Sequence, residues 1–147
     1  MTPLWQQRVG PPEKDHMVCW DYHVILIYRS PAASGDTNST LVYDLDTILP
    51  FPVSFLKYYQ SVFRPGTLSA NFVQQFRVIP TEDYLKTFSS DRSRMKKSDG
   101  TYRKPPPTYD CIINGKDKNN LNSFISMDSQ FKCGQILSLS QLYKMFA

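Results

Sequence analysis

Residues 17–28, MVCWDYHVILIY, constrain the fold most, because β-branched and aromatic side chains dominate them and neither Gly nor Pro interrupts them. Such side chains suit a pleated, half-buried surface, so the fold must include a sheet. Period-2 alternation puts Trp20, Tyr22, Val24, Leu26 and Tyr28 on one face and Cys19, Asp21, His23, Ile25 and Ile27 on the other. The first face is almost wholly apolar. The second turns from polar to aliphatic along its length, the pattern of a buried sheet that opens into a cleft.

Residues 30–39, SPAASGDTNS, are rich in turn formers, and 40–46, TLVYDLD, read as a second strand. Together they predict a β-hairpin with a long loop. With the loop centred between Ala33 and Ser34, paired positions sum to 67 and His23 faces Asp44. Val42, Asp44 and Asp46 then share the face that carries Asp21 and His23.

Elsewhere the signals are shorter. Residues 1–16 are polar, carry Pro3, Pro11 and Pro12, and read as a lead-in without a stable element. After the LPFP turn at 49–52, residues 53–63 predict a short amphipathic helix with Phe55, Leu56, Tyr59, Val62 and Phe63 inward. A third strand is expected at 75–79, then a helix N-capped by Thr81, whose Glu82 and Asp83 suit the positive end of its dipole. Residues 89–108 read as a basic, proline-ended loop, 121–127 as a helical turn, 135–139 as a strand, and Ser140 as the cap of a final helix. Strands interleaved with helices, two of them in a hairpin, define an α+β class, and 147 residues suit one domain over 1–147.

Charge narrows the function classes. Lys and Arg exceed Asp and Glu by 17 to 13, a net of +4. Residues 91–104 alone hold six basic and two acidic residues, so the rest of the chain balances at 11 against 11. One local surplus with only Tyr102 for stacking argues against a nucleic-acid surface. The three cysteines, Cys19, Cys111 and Cys133, include no CxxC pair and read as free thiols of a reducing compartment. The first residues lack the apolar centre of a signal peptide, and the longest aliphatic run, 24–27, is far too short for a bilayer. No membrane association is expected.

The His23–Asp44 pair carries the chemistry. A carboxylate beside an imidazole fixes its tautomer and stabilises the imidazolium, as a catalytic histidine requires. Taken alone, such a pair fits better a half-buried histidine satisfied by its neighbour. Asp21, His23, Asp44 and Asp46 on one face also admit Mn, Fe or Zn, but such sites recruit more nitrogen or sulfur, and the other histidine, His16, falls in the lead-in. Metal is the poorer reading. Cys19 shares the His23 face but stands about 13 Å away along a strand, so the three thiols are read as buried and inert.

Residues 20–24 spell WDYHV, followed by YDLDT at 43–47 and LPFP at 49–52. With FRVI at 76–79, YLKTF-SSDRS-MK within 84–96, PPP-Y-C within 105–111 and LNSFISMD at 121–128, the chain resembles the protein N-terminal glutamine amidohydrolases of the N-end rule pathway almost throughout. The resemblance implies an α-β-α sandwich with a mainly antiparallel central sheet, of the transglutaminase- or papain-like Cys-His-Asp type. His23 matches the family's catalytic histidine and Asp44 its orienting aspartate. The implied reaction deamidates an N-terminal glutamine side chain to glutamate and ammonia, without a cofactor, in a monomer of the cytoplasm and nucleus. Its partners are proteins or peptides with N-terminal glutamine. Asp21 and Asp46 are candidates for the substrate's α-amine by charge and face. The family's nucleophilic cysteine belongs upstream of the part matched here, and none of the three thiols falls at its position. The chain is therefore expected to keep the base and orienter without forming the thioester. The alternatives are a remnant that binds N-terminal glutamine peptides without cleaving them and a metal-dependent hydrolase.

Overall fold

In the computed structural model, which describes residues 1–30, 40–69, 73–114 and 117–147, the strand-coded stretch at 17–28 is two strands rather than one. The elements in chain order are β1 (Thr2–Leu4), β2 (Val18–Trp20), β3 (Leu26–Arg29), β4 (Thr40–Tyr43), β5 (Val53–Ser54), α1 (Phe55–Tyr58), β6 (Gln75–Val78), α2 (Thr81–Thr87), β7 (Ser89–Ser90), β8 (Ile112–Ile113), α3 (Leu121–Ile125), β9 (Gln135–Ser138) and α4 (Leu139–Phe146). They form four small sheets, β1-β2, β3-β4-β5, β6-β9 and β7-β8. This mixture is the α+β class, and among the described residues no helix is long and apolar enough to cross a membrane. The chain divides into two units, Met1–Gln75 with Leu137–Ala147, and Phe76–Ile136.

The first unit contains the divided strand. β2 pairs antiparallel with β1, Leu4 opposite Val18 and Thr2 opposite Trp20. At Asp21 the side-chain Oδ1 accepts the Tyr22 amide at 2.9 Å, a local bond that competes with ladder pairing and ends the strand. Residues 1–16 are therefore not a lead-in. Besides β1, the Gln7 amide donates to the His16 carbonyl at 2.9 Å and the Ile48 amide to the Gln6 carbonyl at 2.9 Å. Pro11 and Pro12 open a 3-10 turn over Pro12–Lys14, where a missing N–H costs nothing. Gly10 completes the turn: a Cβ there would stand 2.4 Å from the His16 backbone.

β3 and β4 form the expected hairpin, with Leu26 opposite Tyr43 and Arg29 opposite Thr40. Paired positions thus sum to 69 rather than 67, and the assumed loop centre lies outside the described residues. The shift is even, so side chains keep their faces although partners change. The apolar face of the stretch does not form the core: Val24 is 64% exposed, and Leu26 and Tyr28 are about half exposed. β3 is an edge strand, and burial concentrates one strand further in, where Val42 on β4 pairs with Val53 on β5.

The expected helix at 53–63 begins as β5, becomes α1 and ends as a π-helical turn over Tyr59–Phe63. Phe55, Tyr58, Val62 and Phe63 are buried, while Leu56 and Tyr59 keep partial exposure. α4 completes this core with buried Leu142, Phe146 against Phe55 at 5.7 Å and Tyr143 against Tyr59 at 4.7 Å. Its cap is Ser138 rather than Ser140. The Ser138 Oγ accepts the Gln141 amide, and the Gln141 side chain accepts the Ser138 amide at 2.8 Å, a capping box that satisfies two otherwise orphaned donors.

All the buried hydrophobic side chains among the described residues belong to this first unit. The second is held differently. Tyr84 stacks on Phe88 at 4.7 Å, and Phe124 meets both rings edge-on. α2 starts at Thr81 itself, with Pro80 at the cap position. Buried Ser89 exchanges hydrogen bonds with the Asn114 backbone at 2.8 and 3.0 Å. The stretch 89–108 is not a plain loop: β7, a 3-10 turn over Ser93–Met95 and a tight turn closed by a Lys96–Tyr102 bridge occupy much of it. Arg92 donates to the carbonyls of Pro107, Tyr109 and Asp110 and lies over the Tyr109 ring at 4.9 Å.

Arg77 is the chief polar hub. Its guanidinium donates to the carbonyls of Ser126, Asp128, Phe131 and Cys133 at 2.5–3.0 Å, gathering a segment without regular structure. A planar fork reaches several acceptors at once, which an ammonium cannot. Arg77→Lys is expected to destabilise the protein by about 2 kcal/mol, since bonds from a charged donor contribute about 1.5–3 kcal/mol each before solvent replaces some of them. Urea unfolding of the two forms measures it; an unchanged midpoint would remove Arg77 from this role.

Candidate active site

The site grows from a carboxylate that the fold cannot leave unpaired. Asp44 follows β4 into a turn, and its side chain is fully buried. Its Oδ1 accepts His23 Nε2 at 3.0 Å and the Asp46 amide at 2.9 Å. Its Oδ2 accepts the Tyr58 hydroxyl at 2.7 Å and Gln7 Nε2 at 3.5 Å. An ionised carboxylate offers about four acceptor positions, and all are filled. Burial on its own would raise the Asp44 pKa, but the bonds from His23, Tyr58 and the Asp46 amide outweigh it and hold the carboxyl below its usual value. Burial and the Asp44 charge push the Tyr58 phenol far up, so it stays a donor.

The network closes on itself. Gln7, wholly buried, also donates to the Trp5 carbonyl at 3.1 Å and accepts Trp20 Nε1 at 3.1 Å. The Trp20 ring stacks on His23 with centroids 5.3 Å apart and planes 24° apart. His23, Asp44, Gln7 and Trp20 therefore fix one another in a ring of four contacts. Strand alternation had put Trp20 and His23 on opposite faces. The break at Asp21 removes that alternation and lets the indole cover the imidazole.

His23 precedes β3 and reaches Asp44 from outside the ladder, not as its directly opposed partner. Asp44 can only accept, so Nε2 carries a proton and Nδ1 has the lone pair of the neutral ring. The charged group next to Nδ1 is Asp46, whose Oδ2 is 4.0 Å away on a half-exposed side chain. Nδ1 is thus the nitrogen free to exchange a proton with a reactant. His23 is otherwise well covered, its side chain 7% exposed.

His23, Asp44 and Asp46 offer ligand atoms mutually within 4.8 Å. They fit a metal poorly, because every Asp44 acceptor position is already taken and only Nδ1 and Asp46 remain. Metal sites usually draw at least three protein ligands. Asp21, the fourth member of the expected face, is exposed and stands apart from this cluster.

The thiols are not uniformly buried. Cys19, opposite Pro3 in the β1-β2 pair, is exposed, and Cys111 and Cys133 are partly so. Partial burial pushes the Cys133 thiol up, with the Arg77 charge opposing and that of Asp83 adding. No cysteine belongs to the cluster around His23 among the described residues.

Sequence reasoning found His23 and Asp44 but missed Tyr58, Gln7 and Trp20 as their supports. Tyr58 had a signal, standing three residues after Phe55 and four before Val62 on the inward helix face. Gln7 had none, since its burial depends on partners distant in sequence.

This α+β protein thus contains a covered imidazole hydrogen-bonded to a buried, fully hydrogen-bonded carboxylate. The chain belongs to the N-terminal glutamine amidase family, whose profile matches residues 1–146. It is 46% identical over 147 residues to the protein N-terminal glutamine amidohydrolase of Homo sapiens, covering 99% of this chain and 68% of that one. The protein of the same name from Bos taurus is 45% identical over 148 residues, and that from Danio rerio 43% over 145, each again covered over 68% of its length.

Tyr58→Phe should cost about 1–3 kcal/mol, the consequence of leaving one buried Asp44 acceptor position empty. It should also move the acid limb. A carboxyl whose folded pKa is depressed stabilises the protein above the unfolded value, about 3.9, and this stability is lost as pH falls through the folded value. Removing the phenol raises the folded pKa toward the unfolded value, so the acid-dependent loss should be smaller and should end at higher pH. Urea midpoints between pH 2 and 7 decide the point; superimposable acid limbs would contradict it.

Proposed function

We propose that this chain acts as a protein N-terminal glutamine amidohydrolase, converting the N-terminal glutamine side chain of peptides or proteins to glutamate with release of ammonia. The observation that carries the reading is the 3.0 Å contact between His23 Nε2 and an Asp44 carboxylate whose other positions are filled, together with family membership over residues 1–146.

In this mechanism a cysteine thiolate, a group that the described residues do not place beside His23, attacks the amide carbon, and the imidazolium of His23 gives the Nδ1 proton to the departing ammonia, leaving a thioester. Nδ1 then takes a proton from water as its oxygen attacks the thioester, which yields the γ-carboxyl group, releases the sulfur as thiolate and restores the imidazolium. Asp44 holds the ring and stabilises its charged form. The finer fold reading, an α-β-α sandwich of transglutaminase-like triad type, belongs with this mechanism, as do a monomeric state and a cytoplasmic or nuclear setting.

One observation favours a second reading. No cysteine joins the His23 cluster among the described residues, so the chain could hold N-terminal glutamine peptides without turning them over. Ammonia release by the purified chain distinguishes the two. A peptide with N-terminal glutamine should release ammonia, and one with only internal glutamine should not. His23→Ala should lower the rate on the order of a thousandfold or more, an alkylating agent should abolish it, and a chelator should leave it unchanged. Peptide binding with no release would instead establish the binding reading.

A further inference from the structure

We infer that Asp46 is the group that recognises the substrate's free α-ammonium, and so sets the restriction to N-terminal glutamine; the inference rests on the reading just given. An N-terminal glutamine differs from an internal one in a single respect that a protein can read electrostatically: its amine is free and cationic, where the internal one is an uncharged amide. A site for it needs a carboxylate that is unsatisfied, reachable from solvent and close to the nitrogen that serves the side-chain amide.

Asp46 meets each requirement. Its carboxylate Oδ2 is 4.0 Å from His23 Nδ1, the side chain is half exposed, and among the described residues His23 is its one ion-pair partner. Its backbone is pinned on both sides, the amide to Asp44 Oδ1 at 2.9 Å and the carbonyl to the Arg8 amide at 2.6 Å. The backbone that bears the carboxylate is therefore fixed while its oxygens remain available. The neighbouring Asp44 cannot serve, because it is buried with every acceptor position taken. Asp21 is less suited: its Oδ1 is engaged by the Tyr22 amide, and it stands outside the cluster.

The dimensions agree. Four bonds separate the α-nitrogen of glutamine from its side-chain amide carbon, a span of roughly 4–5 Å at ordinary bond lengths. An ammonium about 2.8 Å from Asp46 Oδ2 would leave that carbon beside Nδ1, where the departing ammonia must collect its proton. An acylated amine at the same place would offer the carboxylate no charge.

The test is binding, measured by calorimetry on the full chain with a short peptide beginning in glutamine and the same peptide N-acetylated. The wild-type chain should prefer the free amine by about tenfold or more. Asp46→Asn should bring the two affinities together by weakening the free peptide alone, and Asp46→Glu should restore part of the preference. Asp21→Asn should leave the ratio as in wild type. Circular dichroism melting of each variant checks that it remains folded. A ratio unchanged in folded Asp46→Asn, or collapsed in Asp21→Asn instead, overturns the assignment while leaving the proposed function standing. If the wild-type chain binds neither peptide, or binds both equally, the reading of N-terminal glutamine recognition falls and the role of Asp46 falls with it.

Discussion

The Asp44 carboxylate is the constraint around which the first unit is arranged. An ion with no exposed surface is destabilising unless each of its acceptor positions meets a donor. The four that meet it come from separate places: the residues after β1, the break between β2 and β3, the turn after β4, and α1. Satisfying one side chain therefore fixes how these segments meet. This explains why a polar N-terminal stretch is as firmly placed as a strand, and why a tyrosine and a glutamine lie buried among Phe55, Val42 and Val62. The His23–Asp44 arrangement is not added to a finished core; it is the polar centre of that core.

The two units rest on different physics. The first has a conventional apolar interior, each fully buried large side chain contributing about 1.5–3 kcal/mol, with one ionic network set into it. The second has an aromatic trio and a set of side chains that grip backbone carbonyls. Arg92 thus uses part of the chain's basic surplus internally, and Arg77 is engaged in the same way. A count of positive charge overstates what these residues offer to an outside partner.

What could be read from the sequence follows the range of the forces involved. The parity of the hairpin survived a register two residues in error, because a period of two is insensitive to even shifts; His23 and Asp44 lie just beyond the ladder and meet through their side chains rather than as a ladder pair. Alternation failed where a local hydrogen bond intervened, at Asp21, and with it went the placement of Trp20 and the burial expected of Val24, Leu26 and Tyr28. Ser138 took the cap expected of Ser140 because Gln141 reciprocates its bond, a pairing that the spacing Ser138-Leu139-Ser140-Gln141 already contained. Gln7 was beyond reach, its place set by Trp20 and Asp44 together.

The π-helical turn over Tyr59–Phe63 has a consequence of its own. Such a turn is a helix that houses one residue more than regular winding requires. Here the surplus residue adjusts the angular phase between Tyr58, which must meet Asp44, and Val62 and Phe63, which must meet the apolar interior. Chain length at this point is therefore a variable that separates folding from chemistry. The register of Tyr58 on Asp44 thus depends on the length of a segment none of whose residues touches that carboxylate.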